Sequence, residues 1–161
     1  MLLILFGLSG SGKNFVGEII AKQFDYYHWD ADLALTSAMK EQIAKQELFT
    51  QKMRDDFTQL LMAKIIILRQ QHKNIVISQA LYKEKNRQQI ALTYPEAKFI
   101  YITATQENII ARLKQRKNFV DEAYAEIMSH EFEVPEKADA IILNNTDTAA
   151  IVCQLKHIVA P

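Results

Sequence analysis

A chain of 161 residues with 49% hydrophobic and 24% charged residues has the composition of one ordinary globular domain. Nineteen basic residues balance nineteen acidic ones, so there is no general electrostatic footprint for nucleic acid or an anionic membrane, and any anion site must be local. The single cysteine, Cys153, excludes an internal disulfide, and no apolar run approaches the roughly 20 residues that span a bilayer.

Residues 2–6, LLILF, form a short continuous apolar run closed by Gly7, the pattern of a strand buried on both faces. The start MLLILF has no basic flank, which reads against a signal peptide, and a cytoplasmic location is expected. The stretch GLSGSGKN follows at residues 7–14. It matches G-x-x-x-x-G-K-[ST] at every fixed position but the last, where Asn14 stands in place of a hydroxyl residue. The chain has four glycines, and three of them, Gly7, Gly10 and Gly12, fall in this stretch. Glycine lets a loop fold its amides around an anion, and a helix N-terminus behind it adds further donors. Phe15, Val16, Ile19, Ile20 and Phe24 then repeat at helical spacing over 13–24. Strand, glycine loop, helix and a lysine at the right place together predict a phosphate-binding loop. Its amides come from Gly7, Leu8, Ser9, Gly10, Ser11 and Gly12, with Lys13 reaching the phosphates. Gly17, on the helix, is expected to serve close packing.

A second strand is expected at 26–29, YYHW, running into Asp30-Ala31-Asp32. Residues i and i+2 of an extended chain share a side, so two carboxylates could face one point; the competing reading is a turn that caps the next helix. Residues 33–72 lack Gly and Pro and predict helices with a break near 46–50. Further strands are expected at 74–78, 98–103 and 139–145, with helices over 81–93, to about 115, 121–132 and 147–159. Five short apolar strands alternating with helices predict a parallel sheet wrapped on both faces, with ligands beyond the carboxyl ends of the strands. Arg112, Lys114, Arg116 and Lys117 form the densest basic cluster, and Arg116 is expected in a mobile lid at about 112–121. Arg54 and Arg87 are each either bidentate anion contacts or surface arginines. His28 and Trp29 are expected to be packed, Cys153 to be a small buried residue, and adenine contacts to fall near 144–147.

These pieces resemble the small P-loop kinases that phosphorylate metabolites, especially the gluconate kinase family, with shikimate kinases as relatives. GLSGSGKN is similar to the family's G-x-S-G-S-G-K-S, and HWDADLAL to its D-G-D-x-x-H-P. VISQALYKEKNRQQI resembles C-S-A-L-K-x-x-Y-R-D-x-L, FIYITATQENIIARLKQRKNF resembles its strand-to-lid segment, and HEFEVPEKADAIIL resembles the region after the lid, with its Q-F-x-x-L-E-x-P. The resemblance implies one domain over 1–161: a P-loop NTPase three-layer sandwich with a five-stranded parallel sheet of order 2-3-1-4-5, an acceptor-binding helical region at about 33–72 and the lid. It implies ATP-dependent phosphoryl transfer to a hydroxyl of a small anionic metabolite, gluconate or a similar sugar acid, with ATP and Mg²⁺ as cofactors. Lys13, the loop amides and Arg112 would hold the nucleotide, and Asn14 and Asp30 the metal. Asp32 would act on the acceptor hydroxyl, Arg54 and Arg87 would bind its carboxylate, and Arg116 would close from the lid. No nucleic acid or membrane partner is expected, and the protein would be a monomer or a homodimer.

The departures concentrate where the acceptor is read. Ala31 replaces the Gly of D-G-D, Leu33-Ala34-Leu35-Thr36 stands where His-Pro is expected, and the His before Phe119 is missing. With Asn14, they leave a second reading open: a nucleotide-binding protein that no longer transfers phosphate.

Overall fold

The computed structural model describes residues 1–115, 122–145 and 147–159. Five parallel strands form one sheet in the order β2-β3-β1-β4-β5. They are β1 (Leu2–Phe6), β2 (Tyr27–Asp30), β3 (Ile75–Ser78), β4 (Lys98–Thr103) and β5 (Ala140–Leu143). The expected order is the observed one.

The central strand explains the layering. All of β1 is buried, and its alternation divides the core. Leu2, Ile4 and Phe6 point to one face, where they meet Phe57, Leu61, Ile65 and Leu68 of α3 (Gln51–Gln71) and Ile90 of α4 (Glu84–Thr93). Leu3 and Leu5 point to the other, against Val16, Ile19 and Ile20 of α1 (Lys13–Phe24) and Ile151 and Leu155 of α7 (Thr148–Val159). A strand buried on both sides needs apolar residues at every position, which is why LLILF shows no alternation.

The helical region after β2 divides as its caps dictate. A 3-10 turn, Ala31–Ala34, leads to α2 (Ser37–Ala44), which starts where Thr36 accepts from the Met39 amide. Gln46 takes a left-handed backbone, and α3 restarts where Thr50 accepts from the Met53 amide, so the break falls at the expected place. Beyond β4, α5 (Gln106–Gln115) and α6 (Glu122–Ser129) bracket the expected lid. Arg116, Lys117 and most of that segment lie outside the described residues.

Cys153 corrects an expectation: it is exposed. Helix α7 buries Ile151, Leu155 and Val159, and a residue two positions from Ile151 falls on the opposite side of the helix. Among the described residues, no helix is long and apolar enough to cross a membrane.

Candidate active site

The glycine loop joins β1 to α1 at the carboxyl edge of the sheet. Gly12 caps α1 with φ 90°, a left-handed backbone that favours glycine, and no side chain caps the helix start. That N-terminus therefore presents backbone amides and the positive end of the helix dipole. Lys13 is buried and folds back over the loop, its Nζ donating to the carbonyls of Leu8 at 2.9 Å and Gly7 at 3.1 Å.

The back of the loop is braced from two long-range positions. Asn144, buried directly after β5, donates from Nδ2 to the Ser11 carbonyl at 2.9 Å. Arg112 of α5 donates to the Asn144 carbonyl at 2.7 Å and reaches the Ser11 carbonyl at 3.3 Å. A Cβ on Gly12 would stand 2.1 Å from Asn144 Nδ2, so this brace also requires glycine there. Arg112 is thus placed on loop carbonyls rather than aimed from a lid. Asn144, expected near adenine, is committed to the phosphate loop.

Behind α1, His28 of β2 bonds through Nε2 to Ser78 Oγ at 2.8 Å, and Ser78 Oγ donates to the Lys13 carbonyl at 3.3 Å. A Cβ on Gly17 would meet His28 Nε2 at 2.4 Å, so Gly17 does serve close packing. Burial lowers the His28 pKa, against the pull of the Asp30 and Glu18 carboxylates.

Asp30 and Asp32 do not act as an extended pair. The chain leaves β2 at Asp30 and enters the 3-10 turn. Asp30 caps that turn, its Oδ1 accepting from the Asp32 amide at 3.0 Å. Asp30 Oδ2 accepts from Asn14 Nδ2. A carboxylate only accepts, so the amide nitrogen of Asn14 must be the atom facing it, and the amide oxygen is turned away. Asn14 and Asp30 therefore stand side by side at one corner of the loop with both Asp30 oxygens already accepting hydrogen bonds, so a cation there would have to displace the Asn14 amide. Among the described residues there is no group of three or more His, Cys, Asp or Glu able to hold a metal ion by itself.

Asp32 turns the other way and lines a cavity of about 110 Å³ that also takes in Ser9 and Lys13 of the loop, Arg54 of α3 and Tyr82. Arg54 is buried, with its guanidinium carbon 5.6 Å from the ring centroids of both Phe49 and Tyr82. Among the described residues its Nη2 has no hydrogen-bond partner, and it pairs with a Glu131 carboxylate oxygen only at 4.0 Å. Burial lowers the Arg54 pKa, partly offset by Glu131. A buried cation with an unmet donor can accept an anion. Tyr82 is pushed up to about 12 by burial, with the nearby Ser9 backbone acting in the opposite direction.

Arg87 is engaged elsewhere. It does not line the cavity. Its guanidinium donates to the carbonyls of Leu81 and Glu133, both at 2.6 Å, and pairs with Glu84 at 2.7 Å while lying over the Phe6 ring. It fastens the loop before β5 to the turn after β3. Sequence reasoning singled out Asn144 by its place just past a strand but gave it another role; it missed Tyr82, which follows a strand, and the buried polar pair Thr58 and Asn86 on helices.

A family model described as shikimate kinase matches residues 9–159 of this chain. Among solved structures, a sugar kinase from Janibacter sp. HTCC2649 is similar with a TM-score of 0.84 at 16% identity, over 99% of this chain and 95% of its own. A gluconokinase from Sinorhizobium meliloti 1021 gives 0.83 at 18% identity, over 99% and 91%. A shikimate kinase from Acinetobacter baumannii in complex with shikimate gives 0.63 at 18%, over 98% and 92%. At such identities structural likeness speaks for the fold alone. No curated protein matches the chain in sequence.

Proposed function

The chain belongs to the shikimate kinase family and is a small-molecule kinase, and from that premise we propose that it transfers the γ-phosphoryl group of ATP to a hydroxyl of a small anionic acceptor. The observation that carries this reading is the cavity in which the phosphate-loop lysine, the Asp32 carboxylate and the unmet Nη2 of Arg54 share one wall. Phosphoryl transfer needs little covalent help from the protein; it needs positioning and charge stabilisation.

In this reading the acceptor oxygen attacks the γ-phosphorus in line. The bond from phosphorus to the β,γ-bridging oxygen breaks, and its electron pair leaves on ADP. The hydroxyl proton passes to Asp32 and then to solvent. Lys13 and the helix N-terminus offset the charge that builds on the phosphate oxygens. Arg54 holds the acceptor's anionic group and so fixes which hydroxyl meets Asp32. Mg²⁺, held by Asn14 and Asp30, would neutralise phosphate charge and orient the γ-phosphoryl group. Arg116 remains the proposed lid cation.

Sugar acids of the gluconate type, to which the sequence resemblance points, are the first acceptors to test. The experiment is ADP release from Mg·ATP with gluconate, related sugar acids, shikimate and nucleoside monophosphates. Acceptor-dependent release is expected. Asn14, tied to Asp30 where a hydroxyl would serve the metal, favours the second reading of a nucleotide binder without transfer. ATP binding with release no faster than the acceptor-free blank would favour that reading instead.

A further inference from the structure

Helix α3 covers one face of the sheet, and the side it turns away from the sheet should be polar. Its first half follows that rule, with Lys52, Asp56 and Gln59 exposed. Its second half does not: residues 60–68 read LLMAKIIIL. Leu61, Ile65 and Leu68 are buried in the core, which leaves Leu60, Ile66 and Ile67 outside, exposed by 39, 57 and 48%. Ala63 is exposed between them. By helical geometry Leu60 and Ile67 stand to one side of Ala63 and Ile66 to the other, each within about 60° of it.

Helix α4 widens the patch. It runs parallel to α3: Lys85 pairs with Asp55 at 2.8 Å, and the Tyr94 hydroxyl donates to the Met62 carbonyl at 2.9 Å. Leu92 is two turns beyond Lys85, as Met62 is two turns beyond Asp55, so Leu92 extends the patch on the Ile66 side. It is 83% exposed. A lone exposed leucine means little, but four aliphatic side chains on adjoining helices make a contiguous patch of the kind that marks an interaction surface.

We propose that this face is a homodimer interface, in which two copies of the chain pack α3 against α3, antiparallel, about a two-fold axis at Ala63. The small side chain at the centre lets the two helices approach closely. Such an axis brings Leu60 to the second copy's Ile67, Leu92 to its own counterpart, and the Asp56 carboxylate to the second copy's Gln70 amide. No like charges meet, and the helix dipoles oppose. A parallel arrangement would set Asp56 and Lys52 each against its own copy. With Gln59, Asp56 and Gln70 around them, the aliphatic side chains come to the scale of the roughly 800 Å² that each partner contributes to a stable interface.

Sedimentation velocity and light scattering from micromolar to submillimolar protein test it. A monomer–dimer equilibrium is expected, with Kd on the order of 1–100 µM. Ile67→Glu should weaken the dimer by about tenfold or more and leave Tm at low protein concentration unchanged, because the residue is exposed in the monomer. Gln70→Lys brings an ammonium to the second copy's Asp56 and should tighten the dimer several-fold. Gln70→Glu sets two carboxylates together and should weaken it. A chain that stays monomeric at submillimolar concentration overturns the proposal, and so does a dimer indifferent to Ile67→Glu. A shift of Kd in the same direction in both Gln70 variants overturns the antiparallel pairing. The Gln70 variants, on the exposed end of the helix, decide the matter if Ile67→Glu fails to fold.

Discussion

Asn14 donates its amide hydrogen to Asp30 Oδ2, so the position where a phosphate loop ordinarily carries a hydroxyl is tied to the carboxylate beside it. The bond ties the start of α1 to the end of β2, and it occupies one of the oxygens that a cation would use. Replacing Asn14 by Ser frees that oxygen and supplies a hydroxyl close to the backbone. The Mg²⁺ concentration giving half-maximal rate should fall several-fold, on the order of tenfold, in Asn14→Ser. Asp30→Asn should raise it. Titrating Mg²⁺ at fixed ATP measures both, and an unchanged Mg²⁺ requirement in both variants would remove this corner from the metal site.

Lys13 donates to two carbonyls of its own loop, Gly7 and Leu8, and so holds a buried ammonium next to the place where phosphate oxygens belong. Removing it takes away charge stabilisation but not the cavity. Lys13→Ala should lower kcat by about a hundredfold or more, while acceptor-induced changes in Tm persist. Steady-state kinetics and thermal melts on the same preparation check this. Turnover at the native rate would sink the phosphate-loop assignment.

Legibility in the sequence depends on which interactions are local. The strand LLILF, the helix over 13–24 and the glycine loop between them are written in one short stretch, and each expected element is observed there. The sheet order came from the family resemblance. The arginines were not legible. Arg54, Arg87 and Arg112 look alike in sequence, yet one is buried with an unmet nitrogen, one is spent on the Leu81 and Glu133 carbonyls, and one braces Asn144. What separates them is the backbone carbonyl that each happens to meet, 32 residues away for Arg112 and Asn144 and 46 for Arg87 and Glu133. The shared side expected for Asp30 and Asp32 fails for a local reason: the strand gives way to a 3-10 turn at Ala31, so period-two alternation no longer applies.

Gly17 and His28 form a size-matched pair, since a Cβ on Gly17 would stand 2.4 Å from His28 Nε2 and under 3 Å from two ring carbons. Gly17→Ala should therefore cost about 1–3 kcal/mol through overpacking, despite alanine's better helix propensity. His28→Ala removes the ring that the new methyl would strike. The double variant should be more stable than the sum of the single losses predicts, by about 1 kcal/mol. Urea unfolding of all four proteins gives the coupling, and simple additivity would mean that α1 shifts away instead of clashing.

His28 also makes stability depend on pH. Its pKa in the fold is lowered from 6.5, chiefly by burial, with Asp30 and Glu18 acting in the opposite direction. Because the unfolded chain takes up this proton before the folded one does, the fold is unpenalised above pH 6.5. It loses stability as pH drops from there toward the lowered pKa. Below 6.5 the neutral ring remains in place, its Nε2–H donating to Ser78 Oγ, which in turn donates to the Lys13 carbonyl. His28→Gln keeps an amide donor for Ser78 but cannot titrate. The Tm advantage of the wild type over His28→Gln should therefore be constant above about pH 7 and shrink steadily toward pH 5.5. Taking the difference cancels the groups common to both proteins. A difference that stays flat across the range would mean that His28 has the same proton affinity folded and unfolded.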